Sequence, residues 1–137
     1  MAETERVSFE LVSPEHLVVA EDAEMVVVPG SQGNIGVLAR HAPLIASLRP
    51  GVVEVCHRGR EADARYFVAS GFVEVTGERC TVLAEHPEPV GEIDRGAAEK
   101  ALERARVDCS DAKDERERAD AAKRIAVNEA KLRAVAG

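Results

Sequence analysis

The sequence predicts a β-sandwich N-terminal domain followed by a C-terminal antiparallel α-helical hairpin. Short β-branched runs, interrupted by glycine, proline or charged residues, extend from Val7 to Ala84, a pattern typical of all-β sandwiches. All six prolines lie at or before Pro89, and the chain beyond it is rich in alanine, glutamate, arginine and lysine, which favour helices. We therefore expect a β-sandwich domain over residues 1–88 and a helical hairpin over residues 89–137.

The first predicted strand, VSFELV, alternates apolar and polar residues. Val7, Phe9 and Leu11 share one face, as a half-buried strand requires. Similar runs predict further strands at LVVAE, EMVVVPG, GVVEVCHR, ARYFVAS, GFVEVT and RCTVLAE. Gly59 and Gly77 lie at two of the junctions, where hairpin turns favour positive φ, so consecutive strands are expected to be antiparallel.

Two helices are predicted beyond the prolines, separated by the sequence DCSD. The first runs from about Asp94 to Val107, and Ser110 or Asp111 can cap the second, longer one. Alanines at helical spacing predict the contact faces of both helices. These are Ala97, Ala101 and Ala105, with Ala98 and Leu102 beside them, on the first helix, and Ala119, Ala122, Ala126 and Ala130 on the second.

Composition excludes several classes of function. The formal net charge is −7, and residues 1–90 contain no lysine, whereas binding to nucleic acid needs clustered Lys and Arg. The three cysteines, at positions 56, 80 and 109, have no CxxC spacing, which predicts neither a disulfide framework nor a zinc site and favours a reducing compartment. The start MAETERVSF is acidic and no apolar run approaches a membrane span, so we expect a soluble or peripheral protein without a targeting peptide.

The glycine-rich stretch VPGSQGNIGVLARHAPLIASLRPG, residues 28–51, is the main candidate for function. It lacks the lysine and the following helix of a phosphate-binding loop, so its glycines are interpreted as turns between strands. His41 has no nucleophile motif near it, and no two of the four histidines have metal-ligand spacing on one element. The residues predict a binding or regulatory module with no cofactor and no metal.

This stretch closely resembles the epsilon subunit of bacterial F-type ATP synthases, in the pattern P-G-x-x-G-x-x-G-x-L-x-x-H-A-P-L followed by L-x-P-G. FELVSPE, FVASGFVEVTGERCTVLAE and the two charged, alanine-rich helices extend the resemblance over essentially the whole chain. It implies a non-catalytic rotor subunit of the central stalk, which links gamma to the c-ring within a complex that also contains alpha and beta subunits. It further implies a peripheral location on the cytoplasmic face of the bacterial inner membrane.

The resemblance also implies roles for individual residues. Ser13 and His41 correspond to residues that face gamma, and Gln32, Gly33 and Asn34 correspond to the loop tip that faces the polar loops of the c-ring. Family members that bind ATP carry [IL]-D-x-x-R-A at the start of the first helix. Here Ile93, Asp94 and Ala98 match this motif, but Ala97 replaces its arginine. A phosphate-pairing guanidinium is therefore missing, and we expect the isolated chain to bind ATP weakly or not at all.

Two other hypotheses remain open. One is a free-standing small-ligand binding β-sandwich with a dimerising helical hairpin, and the other is an enzyme that uses His41. Co-purification distinguishes both from the rotor hypothesis, because only a rotor subunit is expected to co-purify with gamma, alpha and beta. The resemblance also leaves open whether the hairpin inhibits ATP hydrolysis and whether it is folded or extended in the complex.

Overall fold

The computed structural model describes residues 6–57 and 62–137. The chain divides into two compact units, with the division between Pro89 and Val90. The change in composition had placed the boundary after residue 88. The first unit is built from β-strands and the second from two α-helices, so the predicted fold class is confirmed.

The first unit contains ten strands: β1 Val7–Val12, β2 Leu17–Ala23, β3 Met25–Gly30, β4 Gly33–Leu38, β5 Leu44–Leu48, β6 Gly51–Cys56, β7 Ala62–Val68, β8 Gly71–Val75, β9 Arg79–Ala84 and β10 Glu88–Pro89. They follow one another in the order β10-β7-β6-β3-β5-β8-β9-β1-β2, and β4 pairs with β3. Strand β3 connects the two halves of this folded sheet, because it pairs with β6 over Met25–Val27 and with β5 at Gly30.

The core of the sandwich consists of the alternate residues that the strands direct inward. In β1 the predicted alternation is confirmed, since Val7, Phe9 and Leu11 are fully buried. Valines from β3, β4, β6, β8 and β9 complete most of the core, with Phe67 from β7. A core made mainly of β-branched residues agrees with the low aromatic content, because branched side chains pack well on a pleated surface.

Sequence patterns missed three features of the sandwich. LIASL forms strand β5, although one of its two solvent-facing positions holds Ile45 and the other Ser47, so apolar and polar residues alternate only weakly. Where consecutive strands pair, in β1–β2, β3–β4, β6–β7 and β8–β9, they are antiparallel as expected, but β1 also pairs with β9 in parallel. The positive φ expected at Gly77 is wrong: Gly77 lies in the β8–β9 turn, which the Thr76 side chain and backbone hold against Arg79, while positive φ occurs at Gly33 and Gly71. The turn predicted at Gly59 lies outside the described residues.

The second unit begins with a short 3₁₀ turn, Val90–Glu92, followed by α1, Arg95–Ser110, and α2, Glu115–Ala136. Asp94 caps α1, since its Oδ1 accepts the Ala97 N–H at 3.1 Å. The predicted caps of α2 at Ser110 and Asp111 are wrong. Ser110 is the last residue of α1, and the Asp111 N–H closes that helix on Val107 O at 2.9 Å.

Asp114 is the residue that caps α2. Its Oδ1 accepts the Glu117 N–H at 2.8 Å, while Glu117 Oε2 accepts the Lys113 N–H at 2.9 Å. This reciprocal arrangement resembles a capping box, which satisfies two donors at a helix start. The sequence signal for this cap is D-x-x-E, which begins at Asp114, three residues beyond Asp111.

The two helices pack against each other, and the predicted contact face is confirmed in part on α1 but not on most of α2. On α1 the predicted Ala98, Leu102 and Ala105 are buried, whereas Ala97 and Ala101 of the predicted set are exposed. On α2 only Ala130 of the predicted row is buried, whereas Ala119, Ala122 and Ala126 are exposed. The buried residues of α2 are Ala121, Asn128, Ala130 and Ala134.

Polar contacts explain this difference in phase. The Asn128 side chain can be buried because its amide donates to Arg124 O at 2.8 Å. This hydrogen bond replaces one that the amide would otherwise make to water. Two ion pairs join the helices: Arg124 Nη1 to Asp108 Oδ2 at 3.0 Å and Arg106 Nη2 to Glu129 Oε2 at 3.6 Å. Because a row of alanines buries little area, these pairs and the buried amide help to decide which faces meet.

His57 joins distant parts of the sandwich at the end of β6. Its Nδ1 contacts Asp63 Oδ2 at 2.6 Å, and its Nε2 lies 3.0 Å from Asp22 O and 3.1 Å from Glu21 Oε1. These partners belong to β7 and to β2. The hydrogen bond with Asp63 raises the pKa of His57 most, the Asp22 carbonyl and the Glu21 charge raise it further, and burial opposes them.

We expect His57 to make the stability of the chain depend on pH. A neutral imidazole can donate from one nitrogen only, whereas imidazolium donates from both. Because the pKa is raised on folding, the stabilisation is complete below the unfolded value of about 6.5 and is lost as pH rises through the folded value. Urea unfolding should therefore show a difference between the wild type and His57→Gln that is larger at pH 6 than above pH 8.

Asp63→Asn provides the control, because it removes the carboxylate that contributes most to the raised pKa. Its own stability should vary less with pH over the same interval. If the wild type and His57→Gln differ in free energy of unfolding by the same amount at pH 6 and above pH 8, the role given to imidazolium is contradicted.

Candidate functional site

The candidate loop tip is the β3–β4 hairpin. Gly30 pairs with Gly33 across the two intervening residues, Ser31 and Gln32. Gly33 has φ of 140°, a conformation that residues with a Cβ adopt only with strain. The residues Gln32, Gly33 and Asn34, which the resemblance singles out, are all exposed and adjacent. The structure therefore places the three together at a projecting turn.

Contacts from the neighbouring chain support this tip. The Ser31 N–H donates to Ser47 O at 2.9 Å, and the hydroxyl oxygens of the same two serines lie 2.9 Å apart. Arg49 donates through Nη2 to Asn34 Oδ1 at 2.6 Å. The tip is thus tied to the end of β5 and to the turn that follows it, a support that sequence reasoning did not identify.

Ser13 closes the turn between β1 and β2. Its N–H donates to His16 O at 2.9 Å, its Oγ accepts the His16 N–H at 3.3 Å, and its side chain is half-buried. Together with Pro14 it borders a shallow groove whose lining includes Phe72 and Leu83. The residue therefore has a structural role in the turn and also a position beside an apolar surface.

That apolar surface, here called the outer strip, consists of Leu17, Ile45, Phe72 and Leu83. Their exposed fractions are 53%, 71%, 58% and 47%. Phe72 pairs with Leu83 across β8 and β9, and Val12 connects Leu83 to Leu17 through β1 and β2. Ile45 pairs with Glu74 and lies on the same face, two residues along β5 from Ser47, the partner of Phe72. Leu17, Leu83 and Phe72 are thus connected through paired positions, with Ile45 diagonal to Phe72, and monomeric proteins rarely expose large contiguous apolar patches.

The outer strip was not predicted from the sequence, because apolar residues in strands were interpreted as core residues. A signal was present in the alternation of the strands. In GFVEV, Phe72 has the same phase as the exposed Glu74, and in RCTVLA, Leu83 has the same phase as Arg79. A large apolar residue at the solvent-facing phase of a strand indicates a contact surface.

His41 lies in the corner between β4 and β5. Its Nδ1 contacts Ala42 O at 2.7 Å, and its N–H donates to Leu38 O at 3.1 Å. The corner is also held by the Arg40 N–H, which donates to Gly77 O at 2.8 Å. His41 precedes the Leu44 end of β5, whereas Ser13 lies near the Leu48 end. The structure therefore separates Ser13 and His41 along the sheet, and His41 has no pairing with Ser13 as a nucleophile.

The degenerate nucleotide motif lies at the start of α1. Asp94 is occupied as the helix cap, and the exposed Ala97 supplies the N–H that it accepts. Ile93 is half-buried and Ala98 is buried. The position that carries arginine in the ATP-binding motif is residue 97, which here holds alanine.

The arginine within this stretch already has a carboxylate partner, since Arg95 Nε lies 3.4 Å from Glu99 Oε1. Arg124 contacts Asp108 at 3.0 Å and Asp120 at 3.8 Å, and Asp108 lies near the opposite end of α1, about 21 Å along the helix from Asp94. A phosphate would have to compete with these carboxylates for the guanidinium groups.

Two of the three cysteines, Cys56 and Cys80, are poor sources of a reactive thiolate. Cys56 and Cys80 are buried, and burial raises the pKa of Cys80 to about 12 and that of Cys56 above its usual value. A thiol that stays protonated is a poor nucleophile. Across residues 6–57 and 62–137, His, Cys, Asp and Glu side chains nowhere gather in threes in a geometry suited to a metal ion.

Within the described chain, neither helix combines the length and apolar character needed to cross a membrane. Comparison with known proteins supplies the remaining evidence. The family model for the ATP synthase Delta/Epsilon chain, beta-sandwich domain, matches residues 6–90. The ATP synthase epsilon chain of Paramagnetospirillum magneticum is 47% identical over 132 residues, which cover 96% of this chain and 98% of the relative. That of Rhodospirillum rubrum is 45% identical over 137 residues and 100% of both chains.

Solved structures show the same architecture. A chain in the cryo-EM structure of the Euglena gracilis mitochondrial ATP synthase, OSCP/F1/c-ring in rotational state 1, has a TM-score of 0.83 and 25% identity, covering 96% of this chain and 82% of its own. A chain from the Tetrahymena thermophila mitochondrial ATP synthase central stalk and c-ring has a TM-score of 0.63 at 11% identity, covering 98% and 99%. The resemblance found in the sequence is thus confirmed, and the chain belongs to the ATP synthase delta/epsilon chain family.

Proposed function

We propose that this chain is the central-stalk subunit that links gamma to the c-ring in a bacterial proton-translocating F-type ATP synthase. It would have no catalytic centre of its own and would lie at the cytoplasmic face of the inner membrane, attached through the complex. The outer strip carries the structural part of the proposal. Four large apolar side chains exposed on a rigid sandwich fit a member of this family that docks on another subunit.

Gamma is the partner that we assign to the outer strip. Ser13 borders the groove beside Phe72 and Leu83, which supports a gamma contact at that end of the sheet. His41 lies three residues before the other end of β5, and β5 itself has five residues and spans about 17 Å. A gamma contact at both residues would therefore extend along the strands and include Ile45 between them.

Co-purification tests the proposed assembly. Tagged chain expressed in its own bacterium should recover gamma together with alpha and beta, and a detergent extract should also contain the c-ring. Recovery of the tagged chain only as a dimer with itself would contradict the proposal and favour the small-ligand binding sandwich with a dimerising hairpin.

The c-ring is the partner that we assign to the loop tip, residues Gln32, Gly33 and Asn34. Asn34→Lys removes the acceptor of Arg49 and adds a second positive charge beside it, so the tip should be repelled from its own support as well as altered in shape. We expect ATP-driven proton pumping in reconstituted vesicles to fall several-fold. ATP hydrolysis by the soluble sector should change less than twofold, since its catalytic sites lie elsewhere.

Gln32→Ala is a milder control, because it shortens an exposed side chain without adding charge. An equal loss of pumping and hydrolysis in Asn34→Lys would contradict the placement of the tip against the ring.

Weak nucleotide binding follows from the degenerate motif. A charge-assisted hydrogen bond is worth about 1.5 to 3 kcal/mol, or roughly tenfold to more than a hundredfold in affinity. Ala97 offers none, Arg95 already contacts Glu99, and Arg124 is paired with Asp108 near the opposite end of α1. Calorimetric titration of the isolated chain with Mg-free ATP should show no sub-millimolar binding.

Ala97→Arg should increase the affinity by at least about tenfold if this position alone removed the site. The exposed position makes the substitution compatible with the fold. Ala101→Arg is a matched control, since it adds the same charge one turn further along the exposed face. Sub-millimolar binding by the wild type would overturn the prediction.

A further inference from the structure

The loop tip has little packing of its own. Ser31, Gln32, Gly33 and Asn34 are all exposed, and the Gly33 Cα has no heavy atom within 4 Å of where a Cβ would lie. An exposed turn that must meet a partner loses conformational entropy on binding unless it is already held in shape. Something outside the turn is therefore needed to make this tip an effective docking element.

Arg49 lies in the turn between β5 and β6 and contacts both strands of the tip hairpin. Its Nη1 donates to Gly30 O at 2.5 Å, on the β3 side, and its Nη2 donates to Asn34 Oδ1 at 2.6 Å, on the β4 side. Its backbone N–H donates to Pro29 O at 2.9 Å. One residue thus makes three hydrogen bonds to the residues that enter and leave the tip.

The chain beside Arg49 approaches the same hairpin closely. A Cβ on Gly51 would lie 2.8 Å from Pro29 Cβ, a separation that real side chains do not tolerate. The Pro29-Gly30 and Pro50-Gly51 pairs of the sequence are consequently neighbours in space. This close approach brings Arg49 within reach of the hairpin and fixes the direction from which its side chain arrives.

The geometry suits arginine in particular. The two acceptors are a backbone carbonyl and a side-chain amide on different strands, and they are reached by two different nitrogens of one planar group. Lysine has a single ammonium group on a flexible stem and cannot reproduce this fixed fork. Both acceptors are neutral oxygens, so the bonds provide shape and leave the positive charge of Arg49 beside the tip.

We infer that Arg49 is a positioning residue, whose guanidinium holds Gln32, Gly33 and Asn34 in the shape that the partner of the tip meets. The inference that this shape serves coupling rests on the proposed function, because the c-ring contact belongs to that proposal. The positioning itself rests only on the hydrogen bonds within the chain.

The first experiment measures the tip in the isolated, full-length chain. Arg49→Met keeps the aliphatic stem and removes both side-chain donors, and Arg49→Lys restores a positive charge without the fork. Arg65→Met is the matched control, because Arg65 pairs with Glu54 across β6 and β7, away from the tip. The order of the tip is measured by NMR order parameters and by amide hydrogen exchange at residues 31–34.

We expect Arg49→Met to speed amide exchange at the tip at least about tenfold, with Arg49→Lys between it and the wild type and Arg65→Met unchanged. Asn34→Leu removes one acceptor and should loosen the tip less. Combined with Arg49→Met it should add little, because both changes remove the same bond. A tip as ordered in Arg49→Met as in the wild type would overturn the inference, and Asn34→Leu decides the matter if Arg49→Met does not fold.

The second experiment separates positioning from partner. In reconstituted synthase, Arg49→Met should reduce proton pumping per ATP hydrolysed several-fold, and Arg49→Lys should restore part of it. A loosened tip with undiminished pumping would support the positioning role and contradict the proposed c-ring contact. Unchanged tip order together with reduced pumping would overturn the positioning role while leaving the ring contact in place.

Discussion

Gly71→Ala is expected to cause the largest loss of stability of any single substitution in the sandwich. Gly71 begins β8 with φ of 142°, and a Cβ there would lie 1.9 Å from Leu83 O and 2.9 Å from Ala84 Cα. Both atoms belong to the backbone of the paired strand β9, so neither can move without disrupting the sheet. The substitution combines backbone strain of about 1 to 3 kcal/mol with this clash. We expect a total loss above roughly 4 kcal/mol from a typical stability of 5–15 kcal/mol.

Gly33→Ala separates the two contributions. Gly33 has nearly the same φ, 140°, but a Cβ there would have no heavy atom within 4 Å. It should therefore lose only the strain, about 1 to 3 kcal/mol. Urea unfolding followed by circular dichroism measures both variants. Equal losses of free energy of unfolding in Gly71→Ala and Gly33→Ala would contradict a contribution from the clash with β9.

Phe72→Asp is expected to abolish useful affinity for gamma while leaving the fold intact. Phe72 is 58% exposed at the centre of the outer strip, between Ser47 and Leu83 in register. Aromatic residues at the centre of an interface often contribute 2 kcal/mol or more, and a buried, unpaired carboxylate adds a further penalty. A loss of about 2 to 4 kcal/mol corresponds to a dissociation constant raised roughly thirtyfold to several hundredfold.

Surface plasmon resonance against immobilised gamma measures this effect. Phe72→Leu is the matched control, since it retains an apolar side chain and should lose less than about tenfold. The unfolding midpoint of each variant verifies that the sandwich survives. A wild-type dissociation constant for Phe72→Asp would exclude the outer strip as the gamma surface.

Sequence reasoning predicted the class of fold because that class depends on averages. The alternation in VSFELV and the change of composition after Pro89 each extend over many residues, and errors at single positions do not change the outcome. Predictions at single residues were less successful. The α2 cap is Asp114 rather than Ser110 or Asp111. All three side chains can accept a hydrogen bond from a helix N–H, and the backbone conformation decides which of them does.

The candidate site shows the same division. Adjacent residues such as Gln32, Gly33 and Asn34 could be grouped from the sequence because a short turn keeps them together. The outer strip and Arg49 could not, because their contacts join residues from different strands. Sequence position alone does not reveal that Ser13 and His41 lie toward opposite ends of the sheet, since that requires the strand order and register.

The parallel pairing of β1 with β9 has a consequence for synthesis of the chain. Glu10 and Thr81, joined across these strands, are 71 positions apart, so the β1–β2 hairpin has no neighbour in the sheet until β9 has left the ribosome. Contacts between such distant segments slow folding and leave strand edges uncovered in the nascent chain. The sandwich can therefore close only after nearly all of its own sequence is made, and during that interval Val7, Phe9 and Leu11 are the apolar residues that a chaperone would meet.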